Sequence, residues 1–270
     1  MIKIVLNFII KKTMNQSKIK VSVIMAVHNQ NLFLEKSIKS ILNQSYRKFY
    51  FLIIDDGSDK KTKKILEKYK NKDNRIKILT NKKNIGLPKS LNKAIKLVKT
   101  ELIARMDADD ISLKNRLKKQ VNFFRKKKYL SILGSNAIII NHDGKTIKKS
   151  RMETEHKRIV KDIYYKNPII HPSVMFKKFY FYDIGGYDNS YRKCQDYDLW
   201  IRSKNKYIFA NLKENLIKYR SSNQYTFTTL KFTLKTILKN SLKYNEPLKG
   251  IVGILKNLIV YIFKNLRIVR

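Results

Sequence analysis

Three aspartates fall within four consecutive positions of Arg105-Met106-Asp107-Ala108-Asp109-Asp110, in a chain with 20 Asp and Glu against 60 Lys and Arg. Like charges this close repel, so the crowding costs stability unless a cation or a ligand's hydroxyls relieve it. Asp107 and Asp109, one residue apart, can turn both carboxylates toward one metal ion, and an ion so held can grip a diphosphate. The plainer alternative is a helix N-cap with acidic neighbours. A cap uses one carboxylate, a part that suits Asp110, and leaves Asp107 and Asp109 for a ligand. The chemistry suggested is enzymatic handling of a metal-bound nucleotide.

Two further polar clusters stand in comparable places. Asp55-Asp56-Gly57-Ser58 ends an apolar run; these residues are either an ordinary turn or contacts for a nucleotide. Ala26-Val27-His28-Asn29-Gln30 ends the first such run and holds no glycine. A dinucleotide fold would place a Gly-rich turn there, and a P-loop enzyme a Gly-Lys-Ser/Thr sequence. A metal on aspartates is the natural substitute for a backbone phosphate cradle.

The elements that must position these clusters follow from periodicity. Residues 19–27 form a β-branched, almost continuous apolar run, as expected of a strand covered on both faces. Strands are also expected at 49–54, 76–79, 102–106 and 132–140. Helices are expected at 32–43, 62–69, 89–98 and 113–124, the third opened by Pro88. Alternation of this kind predicts an α/β fold around a mostly parallel sheet, with ligands beyond the carboxyl ends of the strands. All three polar clusters fall at those ends. Residues 147–219 read as a shorter, mixed pattern that closes over the rim and binds a second substrate.

At 270 residues and 43% apolar composition, one sizeable domain plus an appendage is expected. The formal charge of +40 comes from dispersed lysines, mostly solvated helix faces, with a remainder suited to anionic lipid or nucleotide phosphate. The single cysteine, Cys194, excludes an internal disulfide framework, and no Cys/His cluster has zinc-ligand spacing. Residues 1–10 are apolar but too short to span a bilayer, and Met14 offers a second possible start. In the tail, Lys249, Lys256, Lys264, Arg267 and Arg270 share one third of a helical wheel, opposite an arc with Ile251, Leu255, Leu258, Ile262 and Leu266. Two readings stay open for it: an anionic membrane surface, or packing on the domain.

Lys20-Val21-Ser22-Val23-Ile24, Asn29, Ile53 through Ser58, Asn84-Ile85-Gly86-Leu87, Arg105 through Asp110, His171-Pro172-Ser173 and Gln195 through Trp200 occur in this order. Together they resemble the family 2 glycosyltransferases of the GT-A fold, the nucleotide-sugar enzymes of bacterial surface polysaccharide synthesis. The resemblance covers about residues 18–220 and implies a Rossmann-like, mostly parallel central sheet flanked by helices, with a C-terminal helical extension. It divides the chain into an N-terminal extension (1–17), a GT-A domain (18–220) and a basic amphipathic tail (221–270). Within the domain, 18–145 would be the nucleotide-sugar-binding half and 146–220 the acceptor-binding half.

By position, the resemblance implies that Ala26, His28, Asn29, Asp55, Asp56, Asn84, Gly86 and Asp107 bind the nucleoside diphosphate sugar, a UDP-sugar first among candidates. Asp55 and Asp56 would meet base and ribose, Asp107 the ribose. Asp107 and Asp109 would be the ligands of Mg2+ or Mn2+. Asp196 would be the catalytic base that deprotonates a hydroxyl of a glycan or lipid-linked acceptor, with inversion at the anomeric carbon. The expected location is cytoplasmic, peripheral on the inner face of the cell membrane under the first of the two readings of the tail. Ala26 and His28 stand where the family usually has proline and tyrosine, Gln195 where it has glutamate, and Leu91 where many members have arginine. A nucleotidyltransferase would show a Gly-rich basic loop after the first strand. A nucleic-acid-binding protein, suggested by a pI of about 10.2, would show a zinc-finger or helix-turn-helix signature; neither is present, and no nucleic-acid partner is expected.

Overall fold

The structure, a computed structural model, describes residues 20–221 and 225–266. The expected extension at 1–17, the choice between Met1 and Met14, and the Arg267 and Arg270 part of the tail's basic face lie outside them, as does the Leu266 side chain. The first half alternates as the periodicity implies: β1 (Val21–Val27), α1 (Leu34–Leu42), β2 (Phe49–Asp55), α2 (Lys60–Lys72), β3 (Ile76–Thr80), α3 (Leu87–Leu97) and β4 (Leu102–Asp107). These four strands pair in parallel in the order β3-β2-β1-β4.

Alternate residues of β1 feed opposite faces of the sheet, as the two-residue period of a strand requires. Val21, Val23, Met25 and Val27 meet Leu34, Ile38 and Ile41 of α1, whereas Ile24 meets Leu91, Ala94 and Ile95 of α3. Leu91 is therefore a fully buried core residue rather than a nucleotide contact. Helix α2 outruns its apolar stripe because Asp59 caps it, Oδ1 accepting from the Thr62 amide at 2.7 Å.

The second half departs from simple alternation. After β4 come β5 (Ile111–Ser112), α4 (Arg116–Lys126), β6 (Leu130–Ile140), β7 (Thr146–Lys149), α5 (His156–Lys161), a 3-10 turn (His171–Ser173), β8 (Met175–Lys177), α6 (Lys178–Asp183), α7 (Gln195–Ser203) and β9 (Ile208–Arg220). The nine-stranded sheet continues as β4-β8-β6-β9-β5, with β7 on β6. Strands β1 to β4, β6 and β9 share one direction, and β8 is wedged antiparallel between β4 and β6. Helix α4 starts three residues later than expected because Ile111 and Ser112 pair with β9. Asp110 consequently caps no helix: its Oδ1 accepts from the Arg220 amide at 2.7 Å.

Helices α8 (Phe227–Lys243) and α9 (Pro247–Leu266) close the described chain as a hairpin. Ile237 seats α8 in the core beside Trp200. The turn between the helices is fastened by Glu246, whose carboxylate accepts from Tyr164 Oη at 3.0 Å and Lys249 Nζ at 2.6 Å and pairs with Lys204. Burial would raise the Glu246 carboxyl, but the hydrogen bonds from Lys204, Lys249 and Tyr164 hold it down to about 2. Among the described residues no helix is long and apolar enough to cross a membrane.

Gly57 lies in the turn between β2 and α2, packed against the backbone of the loop before α3. Its φ is +70°, and a Cβ there would lie 2.6 Å from the Lys83 carbonyl carbon. Gly57→Ala should lower stability by about 1–3 kcal/mol, the usual cost of a left-handed non-glycine residue. An unchanged urea midpoint would contradict this close backbone approach.

Candidate active site

The carboxyl ends of β2, β1 and β4 lie side by side, Val27 opposite Asp55 and Ala26 opposite Asp107. Asp55 and Asp107 are thus two strand spacings apart, roughly 10 Å. Around the first two ends the structure builds one hydrogen-bonded rim. Asp55 Oδ1 accepts from the Ser58 amide at 2.9 Å. Asp56 Oδ1 accepts from Asn81 Nδ2 (2.8 Å) and the Ile85 amide (2.9 Å), and Oδ2 from the Gly86 amide (2.9 Å), which Asn84 Oδ1 shares. Asp56 therefore acts as the staple of the 81–86 loop. His28 Nδ1 donates to the Asp56 carbonyl at 3.0 Å, leaving Nε2 to accept from Asn29 Nδ2 at 3.3 Å. Asn29, with φ +50°, accepts the Asp59 amide at 2.8 Å.

At the end of β4 the carboxylates of Asp107, Asp109 and Asp110 offer oxygens within 4.8 Å of one another. The buried Asp110 Oδ2 has no hydrogen-bond partner among the described residues. Burial raises the Asp109 carboxyl above the usual range, and the Asp107 charge adds to it. Asp110 is pushed higher still by burial, then by the charges of Asp107 and Asp109. An orphaned, buried carboxylate oxygen beside two more carboxylates is a donor set of the all-oxygen kind that Mg2+ or Mn2+ takes. One resident cation tempers the cluster: the buried Arg105 guanidinium grips Asp107 with both terminal nitrogens, Nη1 to Oδ2 at 2.5 Å and Nη2 to Oδ1.

Asp107 and Asp196 line the same cleft, of about 770 Å³, together with Arg105, Asn167, His171 and Tyr219. Asp196 sits in the first turn of α7, where Oδ2 accepts from Asn167 Nδ2 at 2.7 Å. Burial raises its carboxyl, with Asn167 and the charge of Arg105 working against that rise. Ala26, His28, Asn29, Asp55, Asp56, Asn84 and Gly86 do not line this cleft, but Leu87, next to Gly86, does. The structure therefore groups the candidates as a rim, an aspartate cluster and a cleft wall, in sequence along the strand ends.

His171 Nε2 lies 2.8 Å from Tyr187 Oη, and burial drives its imidazole well below the usual value, so it is a neutral polar wall. Asp198 points away from the cleft and bonds Arg202 Nε (2.7 Å) and Asn240 Nδ2 (3.2 Å). Arg202 in turn donates to the Ile184 and Gly186 carbonyls, at 2.5 and 2.6 Å, fixing the Gly185-Gly186 turn. Sequence reasoning assigned no role to Arg105, Asn167, Tyr219 or Arg220. Arg105 was findable: residues two apart on a strand share a face, which sets it beside Asp107. Asn167 and Arg220 carry no local signal, since only tertiary contacts bring them to the site.

The sequence pattern of glycosyl transferase family 2 matches residues 22–185. Over 211 residues the chain is 40% identical to the O-antigen biosynthesis glycosyltransferase WbnJ of Escherichia coli, covering 76% of this chain and 81% of WbnJ. It is 34% identical over 255 residues to the uncharacterized glycosyltransferase MJ1057 of Methanocaldococcus jannaschii, covering 90% and 88% of the two chains. In fold it matches S. aureus TarS 1–349 in complex with UDP-GlcNAc, with a TM-score of 0.71 at 18% identity, over 90% of this chain and 73% of that one. It spans 43% of a longer TarS chain.

The raised carboxyls set a pH dependence. A group whose folded pKa lies above its unfolded value opposes folding once ionised, so Asp109 and Asp110 cost stability at neutral pH, and the cost fades as pH falls toward 3.8. Asp110→Asn keeps an oxygen for the Arg220 amide and removes the charge. In EDTA at pH 7 it should raise the melting temperature by a few degrees, the gain shrinking toward pH 4. An equal or lower melting temperature at pH 7 would count against electrostatic crowding.

Proposed function

The chain belongs to glycosyl transferase family 2, and from that premise we propose a metal-dependent, inverting transfer of sugar from a nucleoside diphosphate sugar to an acceptor hydroxyl. The observation that carries this reading is the shared cleft, with Asp107 and Asp196 both on its wall. A divalent cation, Mg2+ or Mn2+, held by Asp107 and Asp109 would neutralise charge on the departing diphosphate. Asp196, one oxygen held by Asn167, uses the other to take the acceptor's proton. The acceptor oxygen then bonds to the anomeric carbon as the carbon–diphosphate bond breaks on the opposite side, which inverts the centre. Asp55 contributes to the base and ribose pocket with Ala26, His28 and Asn29. Asp56, Asn84 and Gly86 shape that pocket by holding the 81–86 loop.

The donor reading favours a UDP-sugar, in keeping with the UDP-GlcNAc named with TarS. On the acceptor side, Lys148, Lys149 and Arg151 after β6, and Arg192 and Lys193 before α7, also line the cleft, and none is ion-paired among the described residues. Five unneutralised cations suit an acceptor bearing phosphate, so a lipid-linked acceptor in surface polysaccharide synthesis is the reading preferred, in line with the O-antigen role in WbnJ's name. On this view the donor half is 18–145, the acceptor half 146–220 and the tail 221–270, with the enzyme working at the cytoplasmic face of a cell membrane.

Two substitutions separate the assigned roles. Asp196→Asn should leave UDP-sugar affinity near normal and reduce turnover by about 100-fold or more, the scale of losing a general base; undiminished turnover would remove it from that role. Asp109→Ala should weaken Mn2+-dependent binding of UDP in calorimetry by tenfold or more. Equal affinity would exclude it as a metal ligand.

A further inference from the structure

Helix α9 turns its small and polar side toward the body. Gly250 lies against the Ser241 side chain and Gly253 against the Tyr164 carbonyl, where no larger side chain would fit. Asn257 Oδ1 accepts from Tyr225 Oη at 3.3 Å, and Tyr261 packs edge-on to Tyr225 and Phe227. Of its lysines, Lys249 bonds Glu246, while Lys256 and Lys264 rest over the Tyr165 and Tyr225 rings and stay exposed, without an ion pair among the described residues. What faces out is apolar. Leu248, Ile251, Val252, Leu255, Ile259, Ile262 and Phe263 are each more than half exposed. At 100° per residue they fill one arc of about 120° with no charged residue inside it.

This stripe runs about 22 Å along the helix, and isolated soluble monomers seldom leave so continuous an apolar surface in water. The chemistry around it names the occupant. Residues 225–266 carry seven lysines and one acid, Glu246, itself already paired. Packing two copies stripe to stripe would bring their lysine rows together, whereas anionic headgroups would neutralise them. We propose that the exposed face of α9 inserts, lying parallel to the surface, into a bilayer with anionic headgroups. The apolar arc supplies the insertion and the flanking lysines the preference for negative lipid. This rests on the reading that the enzyme works at a membrane, and it assigns the surface that does so.

The test is co-sedimentation of the full chain with vesicles of phosphatidylcholine, alone or with phosphatidylglycerol. Leu255→Gln/Ile259→Gln changes two exposed side chains, and circular dichroism checks that it stays folded. The wild type should bind phosphatidylglycerol vesicles at least tenfold more strongly than the double variant and retain part of that binding in high salt. Equal binding by the folded variant would overturn the assignment of this face while leaving the membrane reading intact. No binding of the wild type to either vesicle would overturn both. Sedimentation velocity adds a third arm: a wild-type dimer that the variant converts to monomer would make the face an interface between copies and overturn the proposal.

Discussion

The grip of the Arg105 guanidinium on Asp107 is the contact around which this molecule is arranged. Three carboxylates crowd the end of β4, and burying them without compensation would cost far more than a single domain's net stability allows. Arg105 supplies a fixed positive charge from the same strand, and its field also reaches Asp196, where it counters part of the rise that burial imposes. A second buried arginine, Arg116, donates to the Arg105 and Val174 carbonyls. Burial, and then the charge of Arg105, lowers its pKa to about 9. The Arg116 guanidinium thus ties the backbone where β4 meets β8, beneath the cluster. Among the described residues the arrangement leaves two of its own buried atoms without a hydrogen-bond partner, Asp110 Oδ2 and Arg105 Nε.

The sheet explains how residues so distant in sequence share a cleft. Parallel strands deliver Asp55 and Asp107 to one edge, as any open α/β sheet would, and Asp107 is the one of the two that reaches the cleft wall. The antiparallel insertion of β8 then places the 3-10 turn at His171 beside β4 and β6. From there the chain returns through the Gly185-Gly186 turn into α7, whose first turn holds Asp196 over the same edge. The Asp198–Arg202 pair makes that return rigid, because Arg202 holds the turn's carbonyls while Asp198 holds Arg202. Asp198 thereby sets the position of Asp196, two places earlier.

The parallel half was legible in the sequence because its strands are covered on both faces and read as unbroken apolar runs. The family, the fold class and the enzymatic class followed from motifs at the ends of those runs. The second half was less readable for physical reasons. Strand β8 has three residues, too few for any period to register, and β9 carries Lys213 and Glu214 where its pairing with β6 shifts register. Asp110 had the composition of a cap, yet the pairing of β5 with β9 took the helix start away from it. In the tail, the wheel separated basic from apolar residues correctly. It could not show which side faces the body, a choice made by Gly250 and Gly253 through contacts over 9 and 89 positions of sequence.

Glu246 gives the C-terminal hairpin a property that a flexible tether would lack. It ties the turn between α8 and α9 to Tyr164 and Lys204, residues that belong to the catalytic body. Linkers rich in small residues let two modules rotate independently, whereas this joint transmits rotation. If α9 comes to rest on a surface, the body must adopt a single attitude above it. The height and bearing of the cleft mouth would then be inherited from one carboxylate far from the chemistry.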